Sequence, residues 1–218
     1  MARGRFITFE GGEGAGKSTQ ARRLAERLRA ETDATVHLTR EPGGSPNAEA
    51  LRDLLVRGPA DRWSPLAEAL ILYAAREDHL ERLIRPALSR GDWVVSDRFA
   101  DSTRAYQGAG GGADPALIAA LEGAVVGPSA PDLTLVFDLP VEAGLARAHA
   151  REAASGEAET RFERKGAAFH QRLRDGFLAI AAAEPGRCVV IDAAASVDAV
   201  EKAVWSAVAT LLPSPAVA

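Results

Sequence analysis

The stretch Gly11-Gly12-Glu13-Gly14-Ala15-Gly16-Lys17-Ser18 has the spacing G-x-x-x-x-G-K-[ST], set between an apolar run at Phe6–Phe9 and a helical pattern starting at Lys17. Glycines at these steps let successive backbone N–H groups turn inward around phosphate oxygens, and the following helix N-terminus adds its positive dipole end. In such a loop Lys17 reaches the β- and γ-phosphates of a nucleoside triphosphate, and the Ser18 hydroxyl ligates Mg²⁺. A second motif, Trp93-Val-Val-Ser-Asp97, is an apolar strand ending in an acid that can hold the same Mg²⁺ directly or through water. An ATPase usually needs a further carboxylate there to orient the attacking water, but the next residue is Arg98. Arginine suits a second, phosphate-bearing substrate, so the pair points to phosphoryl transfer rather than hydrolysis. No NKxD-type guanine-reading segment is evident, which counts against a GTPase.

These residues need a scaffold. Five short apolar runs read as buried strands, Phe6–Phe9, Thr35–Leu38, Trp93–Val95, Leu133–Phe137 and Cys188–Ile191. They are continuous rather than alternating, as in parallel strands covered on both faces. Between them lie helical patterns at about 17–31, 47–57, 65–89, 115–125, 141–152, 161–183 and 197–211. The alternation predicts an α/β fold: a P-loop NTPase-type parallel sheet of about five strands flanked by helices. No repeat or boundary divides the chain, so residues 1–218 read as one domain. Gly108–Gly112 and Ala153–Thr160 read as mobile loops, and the segment from Pro213 as a frayed tail.

Composition sets further bounds. The 218 residues are 47% hydrophobic and 26% charged, the balance of a globular domain rather than a disordered one. A net charge of −4 argues against a general nucleic-acid or membrane-surface binder. No apolar stretch approaches a membrane span, and the single Cys188 reads as core packing in a reducing compartment. Basic charge is carried almost wholly by arginine, so Lys17, one of three lysines, is more informative than any generic arginine. His79, His149 and His170 lie on predicted helices without a partner motif and read as surface or interface residues.

Four separated segments resemble the thymidylate kinase family of P-loop nucleoside monophosphate kinases. They are Phe6–Thr19, Thr39-Arg40-Glu41-Pro42-Gly43-Gly44, Leu72-Tyr73-Ala74-Ala75-Arg76, and the run Asp97-Arg98-Phe99 through Ser102, Thr103, Tyr106, Gln107 and Gly108. The resemblance covers nearly the whole chain and implies transfer of the ATP γ-phosphoryl group to dTMP with Mg²⁺, giving dTDP and ADP. It implies an ATP site over Gly11–Thr19, with Ser18 and Asp97 at the metal. Arg98, Arg40 and Arg52 become candidates for the acceptor phosphate, since guanidinium groups bind phosphate bidentately. The resemblance also implies that Glu13 faces the deoxyribose 3′-hydroxyl, that Tyr106 stands near the 2′ position, and that Glu41 with Pro42 supports the acceptor site. Arg76, Ser102, Thr103 and Gln107 are candidates for the thymine edge, with Arg76 on a base carbonyl.

Leu72 departs from the family pattern, where a phenylalanine commonly stacks on thymine. It supplies apolar contact without aromatic stacking, a difference of roughly 1 kcal/mol, which leaves dUMP as an alternative acceptor unless Phe99 or Tyr73 compensates. Arginines flanking 147–165 resemble the family's lid over ATP, with Arg151 and Arg161 as the contacting pair. The resemblance further implies a cytoplasmic homodimer. Two rivals stay open on the sequence: a kinase for UMP, CMP or AMP, and a P-loop module that senses ATP and drives a partner.

Overall fold

A computed structural model describes residues 3–59, 61–155, 162 and 164–212. The apolar runs form five parallel strands, β1 (Phe6–Gly11), β2 (Val36–Arg40), β3 (Trp93–Asp97), β4 (Leu133–Asp138) and β5 (Cys188–Asp192), in the order β2-β3-β1-β4-β5. This is the expected α/β architecture. Burial follows position in the sheet: β1 is buried throughout, and β3 and β4 all but their last residue, whereas edge strand β5 leaves Val190 47% exposed. Register aligns the carboxyl ends, with Phe9 beside Asp97 and Arg40 beside Asp97. Chain order reverses around β1, so its carboxyl end is a switch point where α/β sheets open a crevice.

Helix α1 (Lys17–Glu31) buries Ala21, Leu24, Ala25 and Leu28, one helical stripe, in the cluster that also holds Ile7, Phe9 and Val200, Val204 and Val208 of α9 (Val197–Val208). A second cluster joins Phe6 and Val94 to Tyr73, Leu80, Ile84 and Phe99. Here α2 (Pro46–Val56) packs on α3 (Pro65–His79), which continues through a π-helical turn at Leu80–Ile84 into α4 (Arg85–Ser89). The predicted 65–89 helix is therefore three helical pieces in succession.

After β3 the chain forms α5 (Ala100–Thr103) and a π-helical stretch over Arg104–Gly110, which corrects the loop reading for Gly108–Gly110, while Gly111 and Gly112 lie in the turn and loop that follow. The glycines serve contact: a Cβ on Gly110 would lie 2.7 Å from the Phe169 ring, and one on Gly176 would lie 2.6 Å from the Ala109 Cβ. They let α8 (Ala167–Ala183) approach closely, around a third cluster of Tyr106, Val136, Phe169, Leu173 and Phe177. Helix α6 (Pro115–Val125) and α7 (Val141–Ser155) complete the layers. The helix expected from residue 161 starts at Ala167 instead, with Phe162 in a turn. Ala153–Ser155 belong to α7; the rest of the expected 153–160 loop and the tail from Pro213 lie outside the described residues.

Candidate active site

The loop between β1 and α1 is shaped by its backbone. Gly14 has φ of +66°, and a Cβ there would lie 2.1 Å from the Gly144 carbonyl oxygen of α7. Gly16, at φ +86°, makes the left-handed step into α1. Lys17 is 6% exposed and its Nζ donates to the Gly12 carbonyl at 2.6 Å. Burial, then the Arg98 charge, pulls its pKa down to about 8, against support from Glu13, Asp97 and Glu10.

The Ser18 hydroxyl donates to Asp97 Oδ2, joining the mouth of the loop to the end of β3. Hydroxyl and carboxylate are hard oxygen donors, which suits Mg²⁺, an ion that retains waters and takes substrate phosphates in place of an all-protein cage. Among the described residues no group of three or more His, Cys, Asp and Glu forms such a cage.

Arg98 holds φ at +73°, a left-handed conformation that costs a non-glycine residue about 1–3 kcal/mol. Surrounding hydrogen bonds impose it. Its N–H donates to the Phe9 carbonyl at 2.9 Å, and Ser96 Oγ donates to its carbonyl at 2.8 Å. Buried Glu10 takes the Phe99 N–H at 2.7 Å and the Ser102 hydroxyl at 2.5 Å, with burial and nearby Asp101 raising its pKa to about 7. The Arg98 guanidinium thus turns back over the loop, donating to the Gly11 carbonyl at 3.0 Å and to Glu13 Oε1 at 3.0 Å. Tyr106 OH donates to the same Glu13 oxygen at 2.5 Å. Burial opposes ionisation of Glu13, but Arg98, Lys17, the Tyr106 hydroxyl and Arg151 prevail and hold its pKa at about 2. The carboxylate thus joins the loop to Arg98 and Tyr106 on the other half of the cleft.

That other half is built from buried side chains. Arg76 on α3 is 1% exposed; its Nε donates to Glu41 Oε2 at 2.8 Å, and Nη2 to the Phe99 carbonyl and Thr103 Oγ1, both at 3.1 Å. His79 Nδ1 lies 3.0 Å from the other Glu41 oxygen, and its Nε2 lies 2.8 Å from Thr39 Oγ1. His79 is fully buried, which corrects the surface reading; His170 is buried too, while His149 is exposed. One Arg76 nitrogen, Nη1, has no hydrogen-bond partner among the described residues. Gln107 Nε2 donates to buried Glu68 Oε2 at 2.8 Å. Nearer the surface, Arg40 pairs with Glu49 at 3.1 Å and Arg52 donates to the Pro42 carbonyl at 2.8 Å.

These pieces line one cleft of about 480 Å³. It brings together Glu13 through Thr19, Arg40, Glu41, Pro42, Arg52, Leu72, Arg76, Asp97, Arg98, Ser102, Thr103, Tyr106, Gln107 and Arg151. Gly11 and Gly12 are not in its lining, and Gly12 borders a smaller neighbouring cavity. Phe99 lines the cleft beside Leu72, while Tyr73 packs away from it in the core.

The chain matches the thymidylate kinase family over residues 9–204. It is 64% identical over 204 residues to a thymidylate kinase of Caulobacter vibrioides, covering 94% of this chain and 95% of the relative. It is 54% identical over 215 residues to one of Bradyrhizobium diazoefficiens, covering 98% and 93%. The crystal structure of a thymidylate kinase from Ehrlichia chaffeensis superposes with a TM-score of 0.74 at 36% identity, covering 94% of this chain and 97% of that one. The chain belongs to the thymidylate kinase family.

It is accordingly a nucleoside monophosphate kinase that phosphorylates dTMP, with ATP the family's general donor. Among the described residues no helix is long and apolar enough to cross a membrane. Of the lid arginines this thymidylate kinase family member was expected to use, Arg151 lines the cleft and Arg161 lies outside the described residues. Arg147 donates to the Ala193 carbonyl at 3.0 Å, tying α7 to the loop after β5. Sequence reading missed Arg22, Val56 and Phe162 in the lining, and Glu68 and His79 behind it. Glu68 carries one signal: it stands four residues before Leu72 and eight before Arg76, on the same face of α3.

Proposed function

We propose that the cleft divides into a donor half and an acceptor half, and that the chain transfers the γ-phosphoryl group of ATP to the 5′-phosphate of dTMP between them. The observation that supports this most is the meeting, over one loop, of Lys17 and Arg98 with Glu13 held between them. On this reading the amides of Gly11–Thr19 and Lys17 hold the β- and γ-phosphates. Arg98, with Arg40 and Arg52, holds the acceptor phosphate so that its oxygen meets the γ-phosphorus opposite the leaving ADP oxygen. Positioning and charge neutralisation are most of what such a transfer needs. Glu13 and Tyr106 meet the sugar, Leu72 and Phe99 the base face, and Arg76, Ser102, Thr103 and Gln107 its edge, with Glu41 and Pro42 shaping the wall. Ser18 and Asp97 would hold Mg²⁺, which when bound neutralises charge on the bridging phosphates. Arg151 and Arg161, on a lid over 147–165, would close over ATP and exclude water.

The same reading treats the chain as a single cytoplasmic domain without nucleic-acid partners. It also includes a homodimer, supported by exposed Leu54, Leu66, Leu70 and Leu117 on the adjoining helices α2, α3 and α6. Phosphorus NMR of ATP, dTMP and Mg²⁺ with the protein tests it: dTDP and ADP should appear together, stop on chelation and resume with added Mg²⁺. ADP and inorganic phosphate without dTDP would contradict it. Sedimentation equilibrium should give twice the chain mass, and a monomer would remove the dimer from the reading.

A further inference from the structure

We infer that Glu68, which does not itself line the cleft, is the positioning residue that sets which pyrimidine edge the site accepts. It does so by fixing the orientation of the Gln107 amide. This rests on the acceptor half of the cleft receiving a nucleoside monophosphate.

A primary amide offers two donors on nitrogen and an acceptor on oxygen, whereas a carboxylate only accepts. The 2.8 Å contact to Glu68 Oε2 therefore takes the nitrogen of Gln107, and the oxygen is left on the other side. Both residues are about 1% exposed, so neither turns freely. Gln107 lines the cleft, and its Oε1 is buried without a hydrogen-bond partner among the described residues. Arg76, lining the same cleft, has the buried unpartnered donor Nη1, its other two nitrogens being committed to Glu41, Phe99 and Thr103. Glu68, Leu72 and Arg76 follow one another at helical spacing on α3. One rigid element thus carries the donor, the apolar contact and the group that orients the acceptor.

A fixed donor and a fixed acceptor offered by residues of one cleft match a 4-oxo pyrimidine, whose O4 accepts and whose N3–H donates. A 4-amino pyrimidine offers the reverse, an N4 donor and an N3 lone pair, and would set donor against donor and acceptor against acceptor. Buried polar groups left unpaired in this way are costly. Were Glu68 replaced by a group able both to donate and to accept, the Gln107 amide could present either end and the mismatch would be relieved.

The test is Glu68→Gln in the full chain, with kcat and KM measured for dTMP and dCMP at saturating ATP. The ratio of kcat/KM for dTMP over dCMP should fall by about tenfold or more. The change should lie in the KM for dTMP and in improved use of dCMP, with the KM for ATP unchanged. A purely structural role would lower stability and leave the ratio where it was. A ratio within twofold of the wild type overturns the inference. Should that variant not fold, the wild-type protein still decides through N3-methyl-dTMP, which lacks the N3 donor. It should be used about tenfold or more less well than dTMP, and equal use overturns the inference. No ADP formation with any monophosphate would instead overturn the kinase reading itself.

Discussion

The two halves of the cleft are built in different ways. The half proposed for the donor is mostly backbone: eight consecutive residues, three positive-φ glycines and a helix N-terminus create it, and Lys17 and Ser18 are its main side chains. The half proposed for the acceptor is mostly side chains, a set comprising half-buried Thr39 and buried Glu41, Glu68, Arg76, His79, Thr103 and Gln107, drawn from three stretches of chain. Every nucleotide donor has the same phosphates, and amides suffice to bind them. Telling one base from another requires donors and acceptors at fixed points, and those come from side chains locked by other side chains.

The difference predicts distinct consequences when each half is damaged. The largest effect on turnover belongs to Lys17→Met, expected to lower kcat by about a thousandfold. Melting temperature and dTMP affinity should barely change, since among the described residues the one hydrogen bond that the Lys17 side chain makes is to its own loop carbonyl. Glu41→Ala reverses that balance. It leaves Arg76 buried with its carboxylate partner gone, which should cost about 3–5 kcal/mol of folding stability by denaturant titration. If Lys17→Met destabilised the fold as much as Glu41→Ala, the contrast between the halves would be lost.

A third prediction concerns pH. Free Lys17 titrates at about 8, and bound phosphates must raise that value, so above it ATP binding takes up a proton. Affinity for ATP should fall as pH rises through 8, approaching tenfold per pH unit beyond. Calorimetry in buffers of different ionisation enthalpy reads the proton uptake, and Lys17→Met should abolish it. The smallest effect is that of His79→Gln. An amide can replace only part of the bridge between Thr39 and Glu41, so the KM for dTMP should rise by roughly threefold to tenfold, with kcat retained.

The same contrast explains what the sequence reveals. The fold and the phosphate loop were legible because continuous apolar runs mark buried parallel strands, and contiguous glycines mark a backbone-built cradle. Glu68 and His79 were not, since a polar residue on a helix says nothing about a partner on another element. Asp97 declares itself by ending an apolar strand, but the positive φ of Arg98 depends on Phe9, Glu10 and Ser96 acting together. Gly108–Gly110 were misread as loop because glycine more often interrupts a helix than lets one pack closely, and here Gly110 does the latter against Phe169.

The most direct measurement is kcat/KM for ADP formation with dTMP, dUMP, dCMP, UMP and AMP as alternative acceptors under identical Mg²⁺ and ATP. The arrangement of Arg76, Gln107 and Leu72 predicts dTMP first, dUMP next by a margin that reports the Leu72 contact, and dCMP and AMP far behind. AMP or dCMP equal to dTMP would contradict an acceptor half built to read a 4-oxo pyrimidine.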